Sequence, residues 1–343
     1  MSKPTPRRYK TIGAILVTGA ITGMLTACGG DAKPAATPQP TEQSSGNGQT
    51  ETETENTKIK PADLAKAIMD GEYSLIYKQL SPDFRTQVSE ADFTAIAADT
   101  LAGVESLQES SILKLNGLEQ RLWLSSSNGI GMFAAFGEND VIAALQFQML
   151  EQHVESDKLY TKTAYDFPMH GDWFVFWGGT NVFDNYHYAH PSQRYAYDLI
   201  QEKDGMSYEG DPTKNESYHA FGQEVVAPAD GTVVEVVNDI ADNEPVGVMN
   251  EKAPAGNVVI IDHGGEYSYL AHLKKGSAIV KVGDQVKRGD KIGEVGNSGN
   301  SSEAHMHFQV SDGSDLYESS SIRVKWSNDL EPTRGKTVSI AGK

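Results

Sequence analysis

Cysteine is almost missing from this 343-residue sequence: Cys28 is the only one. A single thiol allows no disulfide within the chain and no thiolate cluster around a metal, so any metal must be held by His, Asp or Glu. Basic residues are also short, with 29 Lys and Arg against 47 Asp and Glu and a formal charge of −18. That balance excludes a nucleic-acid partner, because no basic stripe is available to neutralise phosphates. Long apolar runs are missing too. The one candidate, Ile12 to Leu25, falls short of the roughly 20 residues that cross a bilayer comfortably. The length still suffices for two domains of roughly 100–200 residues each.

The apolar run sits behind Lys3, Arg7, Arg8 and Lys10 and ends in Leu25-Thr-Ala-Cys28. A basic segment, an apolar segment and a small-residue cleavage pattern make a signal segment over residues 1–28, not part of the fold. With the cysteine directly after the pattern, it resembles the lipobox of bacterial lipoproteins; the alternative is an ordinary secretory signal with an incidental cysteine. The resemblance implies a lipid on Cys28 and a place on the extracytoplasmic face of the cell membrane. Residues 29–58 follow with Pro34, Pro38 and Pro40, then Ser, Gly, Asn and Gln, then a Glu-Thr alternation from Glu51 to Glu55. Such a segment has nothing to bury and reads as a disordered tether with a reach of roughly 30 Å.

From Lys60 the pattern changes. Leu64, Ala65, Ile68 and Met69 fall on one helical stripe, and Ser89 is placed to cap a second helix beginning Glu-Ala-Asp-Phe. Leu122-Trp-Leu, the run from Gly129 to Phe136 and the run from Val141 to Leu150 then read as strands. Residues 60–160 are therefore expected to form a small α+β domain. Loosely, it resembles the nuclear-transport-factor-2-like modules that precede catalytic domains in bacterial surface proteins.

Residues 165–330 are strand-rich and glycine-punctuated, the signal of a mainly antiparallel all-β domain. Gln223 to Val237, Gly256 to His263, Tyr267 to Leu273 and Lys291 to Gly296 are its expected strands, and all the histidines except His153 fall in this part. His170, His219 and His263 have no partner pattern and read as structural. The densest chemistry is Ser-Glu-Ala-His305-Met-His307-Phe-Gln-Val, directly after the run from Gly293 to Ser301. On a strand, His305 and His307 share one face while Met306, Phe308 and Val310 share the other. The glycine-rich run lacks the Gly-Lys-Ser/Thr that a phosphate loop needs. Upstream, His187 and His190 precede Asp198 in a strand-like stretch, and Tyr269-Leu-Ala-His272 places another imidazole at a strand end.

Together these motifs resemble the lysostaphin-like, LytM-type zinc metallopeptidases that cut peptidoglycan peptides. The family's fold over residues 165–330 is expected with the resemblance, as are a zinc cofactor and a peptidoglycan substrate, with other cell-wall enzymes as further partners. It implies Asp198 and His307 as zinc ligands, and His305 and His272 as the histidines that move protons and stabilise the oxyanion. The first ligand departs from the family's short His-to-Asp spacing; His187, after Asn-Tyr, is favoured over His190. A member lacking a ligand would instead be an inactive scaffold or activator of other wall hydrolases.

Overall fold

The computed structural model of the chain describes residues 58–341 apart from Asn128 and Asp329. The expected signal segment with Cys28, and the tether up to residue 57, lie outside the described residues.

After a 3₁₀ turn begun by Pro61, four helices follow: α1 (Leu64–Met69), α2 (Tyr73–Gln79), α3 (Pro82–Gln87) and α4 (Glu90–Thr100). Serine caps start the last two. The Ser81 Oγ accepts from the Phe84 N–H at 3.2 Å and the Ser89 Oγ from the Asp92 N–H at 3.1 Å, satisfying donors that a helix start leaves free. Strands β1 (Leu107–Leu115), β2 (Leu118–Ser125), β3 (Ile130–Phe136) and β4 (Ile142–Met149) then form an antiparallel meander in chain order. One face carries Trp123, Met132, Ala134 and Phe136 onto helical Leu64, Ile68, Ile76 and Phe93. The alternate residues Leu122, Phe133 and Ala135 cover the other face, so the sheet is apolar on both sides.

A short helix α5 (Val154–Asp157) leads to the second sheet. The strands of this region are β5 (Tyr160–Tyr165), β6 (Gly171–Trp177), β7 (Tyr197–Ile200), β8 (Glu224–Val226), β9 (Gly231–Val237), β10 (Asn257–Asp262), β11 (Tyr267–Leu273), β12 (Gln285–Val286), β13 (Lys291–Glu294), β14 (Met306–Ser311), β15 (Ser321–Trp326) and β16 (Thr337–Ile340), all but β8 and β13 in the second sheet. The main path is β12-β9-β10-β11-β14-β7-β6-β16, with β8 and β13 paired separately. All its pairs are antiparallel except β5, which lies parallel to β15. Met306, Phe308 and Val310 enter the central core beside Trp173, Leu199, Val259 and Leu270. The other face of β14 is therefore free to carry chemistry. Its neighbours are β7 and β11, in registers that set Asp198 and Ala271 beside His307.

Candidate metal centre

His307, Asp198 and His187 converge: each offers a ligand atom, and the three atoms lie within 4.8 Å of one another. All three side chains are buried. Asp198 reaches the cluster from β7 and His307 from β14, directly across the ladder. His187 arrives differently. It lies in a 3₁₀ turn, Tyr186–Ala189, and not in the strand-like stretch that the sequence suggested. The turn starts at Asn185, whose Oδ1 accepts from the His187 backbone N–H at 3.2 Å. His190 is exposed and stands outside the cluster.

The hydrogen bonds settle which ring nitrogen each imidazole presents. The Asn185 amide nitrogen donates to the Ala196 and Arg194 carbonyls at 3.0 and 3.2 Å, so its Oδ1 is an acceptor. It lies 2.8 Å from His187 Nδ1, which must carry the proton. His187 Nε2 is then a bare lone pair, buried without a partner and 3.7 Å from Asp198 Oδ2. Gln309 plays the same part for His307. Its amide nitrogen donates to the Ser192 carbonyl and the Ser311 hydroxyl, turning Oε1 toward His307 Nε2 at 3.1 Å. His307 Nδ1 faces Asp198 Oδ1 at 3.0 Å. Two acceptors this close need a cation or a proton between them, and an orphaned imidazole nitrogen completes the set. Two imidazoles and a carboxylate suit zinc, so these residues fit the metal that the sequence implied.

His272 and His305 stand beside the cluster, their ring centroids 4.7 Å apart. His272 Nδ1 is 2.8 Å from the Ser298 carbonyl and His305 Nδ1 is 2.9 Å from the Glu303 carbonyl. A carbonyl only accepts, so each Nδ1 carries its proton and each Nε2 is free. His305 Nε2 lies 3.6 Å from Asp198 Oδ1. The glycine-rich run has a steric purpose here. A Cβ on Gly256 would meet the Ser298 carbonyl oxygen at 2.3 Å, and one on Gly299 would meet the Gly256 nitrogen at 2.4 Å. Only a bare backbone passes closely enough to aim the Ser298 carbonyl at His272.

Burial would raise the pKa of Asp198, but the facing His187, His305 and His307 overcome it and hold the carboxyl well below its ordinary range. Burial pushes His187 down to about 3, and it also drives His272 well below an ordinary imidazole. Both are neutral at physiological pH, the state in which a ring nitrogen can bind a metal or accept a proton. Asn185 and Gln309 were missed in the sequence. Each lies two residues from its histidine, and Gln309 shares the strand face of His305 and His307, so the spacing signal was present.

Residues 217–318 match the family model described as Peptidase family M23. That span holds His272, His305 and His307 and stops short of His187 and Asp198. Among curated proteins the chain is similar to an uncharacterized metalloprotease of Haemophilus influenzae, 37% identical over 26% of this chain and 16% of the relative. It is also similar to the peptidoglycan DD-endopeptidase ShyA of Vibrio cholerae, 44% identical over 19% of this chain and 15% of that protein. The chain thus spans about a sixth of the length of the curated relatives it matches. Among solved structures, the catalytic domain of lysostaphin from Staphylococcus simulans aligns at 19% identity over 50% of this chain and 95% of that chain, with a TM-score of 0.24.

Proposed function

We propose, for a chain that carries a domain of Peptidase family M23, that it is a zinc-dependent endopeptidase hydrolysing peptide bonds in the stem peptides or cross-bridges of peptidoglycan. The observation that carries this reading is the convergence of His187, Asp198 and His307 within 4.8 Å, with His187 Nε2 left without a partner. These three are the assigned metal ligands, and three protein donors leave a coordination position open for chemistry. A zinc ion held there supplies Lewis acidity, polarising the scissile carbonyl and acidifying water.

Proton transfer falls to the chain's own residues. His272 and His305 are fixed through Nδ1 by backbone carbonyls, so Nε2 of either can take a proton from the attacking water and return it to the leaving amine. Once protonated, the same Nε2–H can stabilise the developing oxyanion. The name of the Vibrio relative supports the substrate class. The Leu25-Thr-Ala-Cys28 pattern supports a lipid anchor at the outer face of the cell membrane, beside the wall and its other enzymes.

The test is zinc content together with release of free amines from purified sacculi. Wild type should hold one zinc per chain and cleave. His307→Ala should lose the metal, whereas His305→Ala should keep it and lose at least about 100-fold in rate. A wild-type protein with no zinc and no cleavage would overturn the reading in favour of a scaffold or activator of other hydrolases.

A further inference from the structure

His187 and Asp198 are eleven positions apart in the sequence, and the chain between them leaves the ligand turn and returns along β7. Such a segment fixes the spacing of its two ends only where something outside it holds both. Two tyrosines mark those ends. Tyr188 follows His187 directly, Tyr195 comes three positions before Asp198, and both are buried.

Their hydroxyls converge on one carboxylate. Tyr188 Oη lies 2.9 Å from Asp157 Oδ2, and Tyr195 Oη lies 2.9 Å from Asp157 Oδ1. A carboxylate only accepts, so both phenols donate to it. Tyr188 Oη also accepts from the His153 N–H at 2.9 Å, and Tyr195 Oη is 2.8 Å from the Ser156 hydroxyl. Both hydroxyls therefore find these partners on α5 and on His153, the residue that starts it. A helix of four residues is too short to hold itself. Arg323 of β15 secures it, Nη1 donating to the Asp157 carbonyl at 3.0 Å. Within the segment, Arg194 Nε donates to the Tyr188 carbonyl at 3.1 Å, which ties one end to the other.

We propose that Asp157 is a positioning residue for the metal centre: from α5 it clamps both ends of the segment 188–195 and so fixes His187 against Asp198. The inference rests on the ligand assignment above. It extends that site to a residue outside the span 217–318 that matches the family model. A carboxylate suits the task, because an ionised acceptor makes the stronger hydrogen bonds and its two oxygens draw both phenols toward one point.

The test measures amide hydrogen exchange and zinc affinity on the full chain. Its control is Glu155→Gln, an exposed position on α5 whose ion pair is with Lys158. In chelator-treated protein, the amides of residues 185–190 should exchange at least about tenfold faster in Asp157→Ala, whereas those of β10 should keep their wild-type rate. Zinc affinity, read by competition with a chromogenic chelator, should fall about tenfold. Asp157→Asn keeps one acceptor oxygen and should lie between the two. Tyr188→Phe should add less to Asp157→Ala than it costs alone, since both break one contact. Glu155→Gln should change neither reading. Should Asp157→Ala fail to fold, Asp157→Asn and Tyr188→Phe carry the same two measurements. Wild-type exchange at 185–190 in Asp157→Ala, equal acceleration in β10, or wild-type zinc affinity would overturn the proposal. A wild-type chain that binds no zinc would overturn the metal reading instead, and exchange at 185–190 would still decide whether Asp157 holds the turn.

Discussion

The two large sheets of this molecule solve opposite problems. From residue 58 to β4, the buried polar side chains among the described residues are Gln120 and Ser125 alone, both uncharged. In the second sheet and its loops, one aspartate and four histidines are buried around a single point. Helices and meander fill the first region with Leu, Ile, Phe and Trp, which stabilise by leaving water. The second region takes ionisable groups out of water, which destabilises a fold unless their charges and protons are matched. Here they are matched to one another and to Asn185 and Gln309. Concentrated burial of ionisable groups is thus the physical mark that separates the chemical region from the supporting one.

One pair of substitutions sharpens that contrast. Phe136→Ala in the first core should cost about 3–5 kcal/mol of folding stability, by lost transfer energy and a residual cavity. Urea unfolding of chelated protein measures it, and zinc affinity of the folded fraction should not change. Asp198→Asn should do the reverse. Zinc affinity, read by competition with a chromogenic chelator, should fall at least about 100-fold if Asp198 is the ligand proposed, since a direct ligand matters more than outer partners that cost roughly 10–100-fold. A Phe136→Ala protein with weakened zinc binding would break the separation.

The separation is expected to fail at one residue. Phe183 precedes the His187 turn, yet it is buried against Leu122, Phe133 and Ala135 of the first sheet. Its ring stacks on Phe133 with centroids 6.0 Å apart and planes 11° apart. Gly131 must lack a side chain, because a Cβ there would meet the Phe183 ring at 2.7 Å. Asn181 then ties the loop down, its carbonyl accepting from the Asn185 N–H at 2.9 Å. Phe183→Ala should therefore cost about 3 kcal/mol of stability and weaken zinc about tenfold by loosening His187, with Phe183→Leu restoring most of both. Full zinc affinity in the alanine variant would show that the first sheet only shelters the loop.

Much of the site was legible because its strands obey the period of two. The alternation around His305 and His307, and the glycines before them, identify a strand with one chemical face. His187, proposed as the first ligand, was less legible, since it lies in a turn whose position is set by Phe183 and Asn185. Those contacts join residues from 111 to 187 and leave no local pattern. Strand β1 was also unread. Its interior, Gln-Glu-Ser-Ser, lacks an apolar alternation because this edge faces a cavity between the sheets. Apart from Asn185 and Gln309, what was missed depends on contact between the regions.

The smallest expected effect tests that contact from the other side. Asn116, at the β1–β2 turn, donates to the Ser207 hydroxyl at 3.0 Å and accepts from the Ser207 N–H at 2.9 Å. The same hydroxyl lies 3.5 Å from the Glu303 carboxylate, and the Glu303 carbonyl holds His305. Burial raises the pKa of Glu303 from 4.5 to about 7, only partly offset by the Ser207 hydrogen bond. No basic side chain acts on it, and its titratable neighbour is the Tyr218 phenol, itself pushed well above its ordinary value by burial. With the folded value above the unfolded one, the folded state holds this proton more tightly. The contribution is fully present below about pH 4.5 and is lost as pH rises through about 7. Glu303 is only partly buried, so solvent screening reduces the effect to about 1 kcal/mol. Glu303→Gln cannot ionise, and its stability relative to wild type should rise by that amount between pH 5.5 and pH 8, roughly the window of the shift. Urea midpoints of both proteins at the two pH values measure the difference, and parallel slopes would mean that the Glu303 carboxylate is solvated at the junction of the two regions.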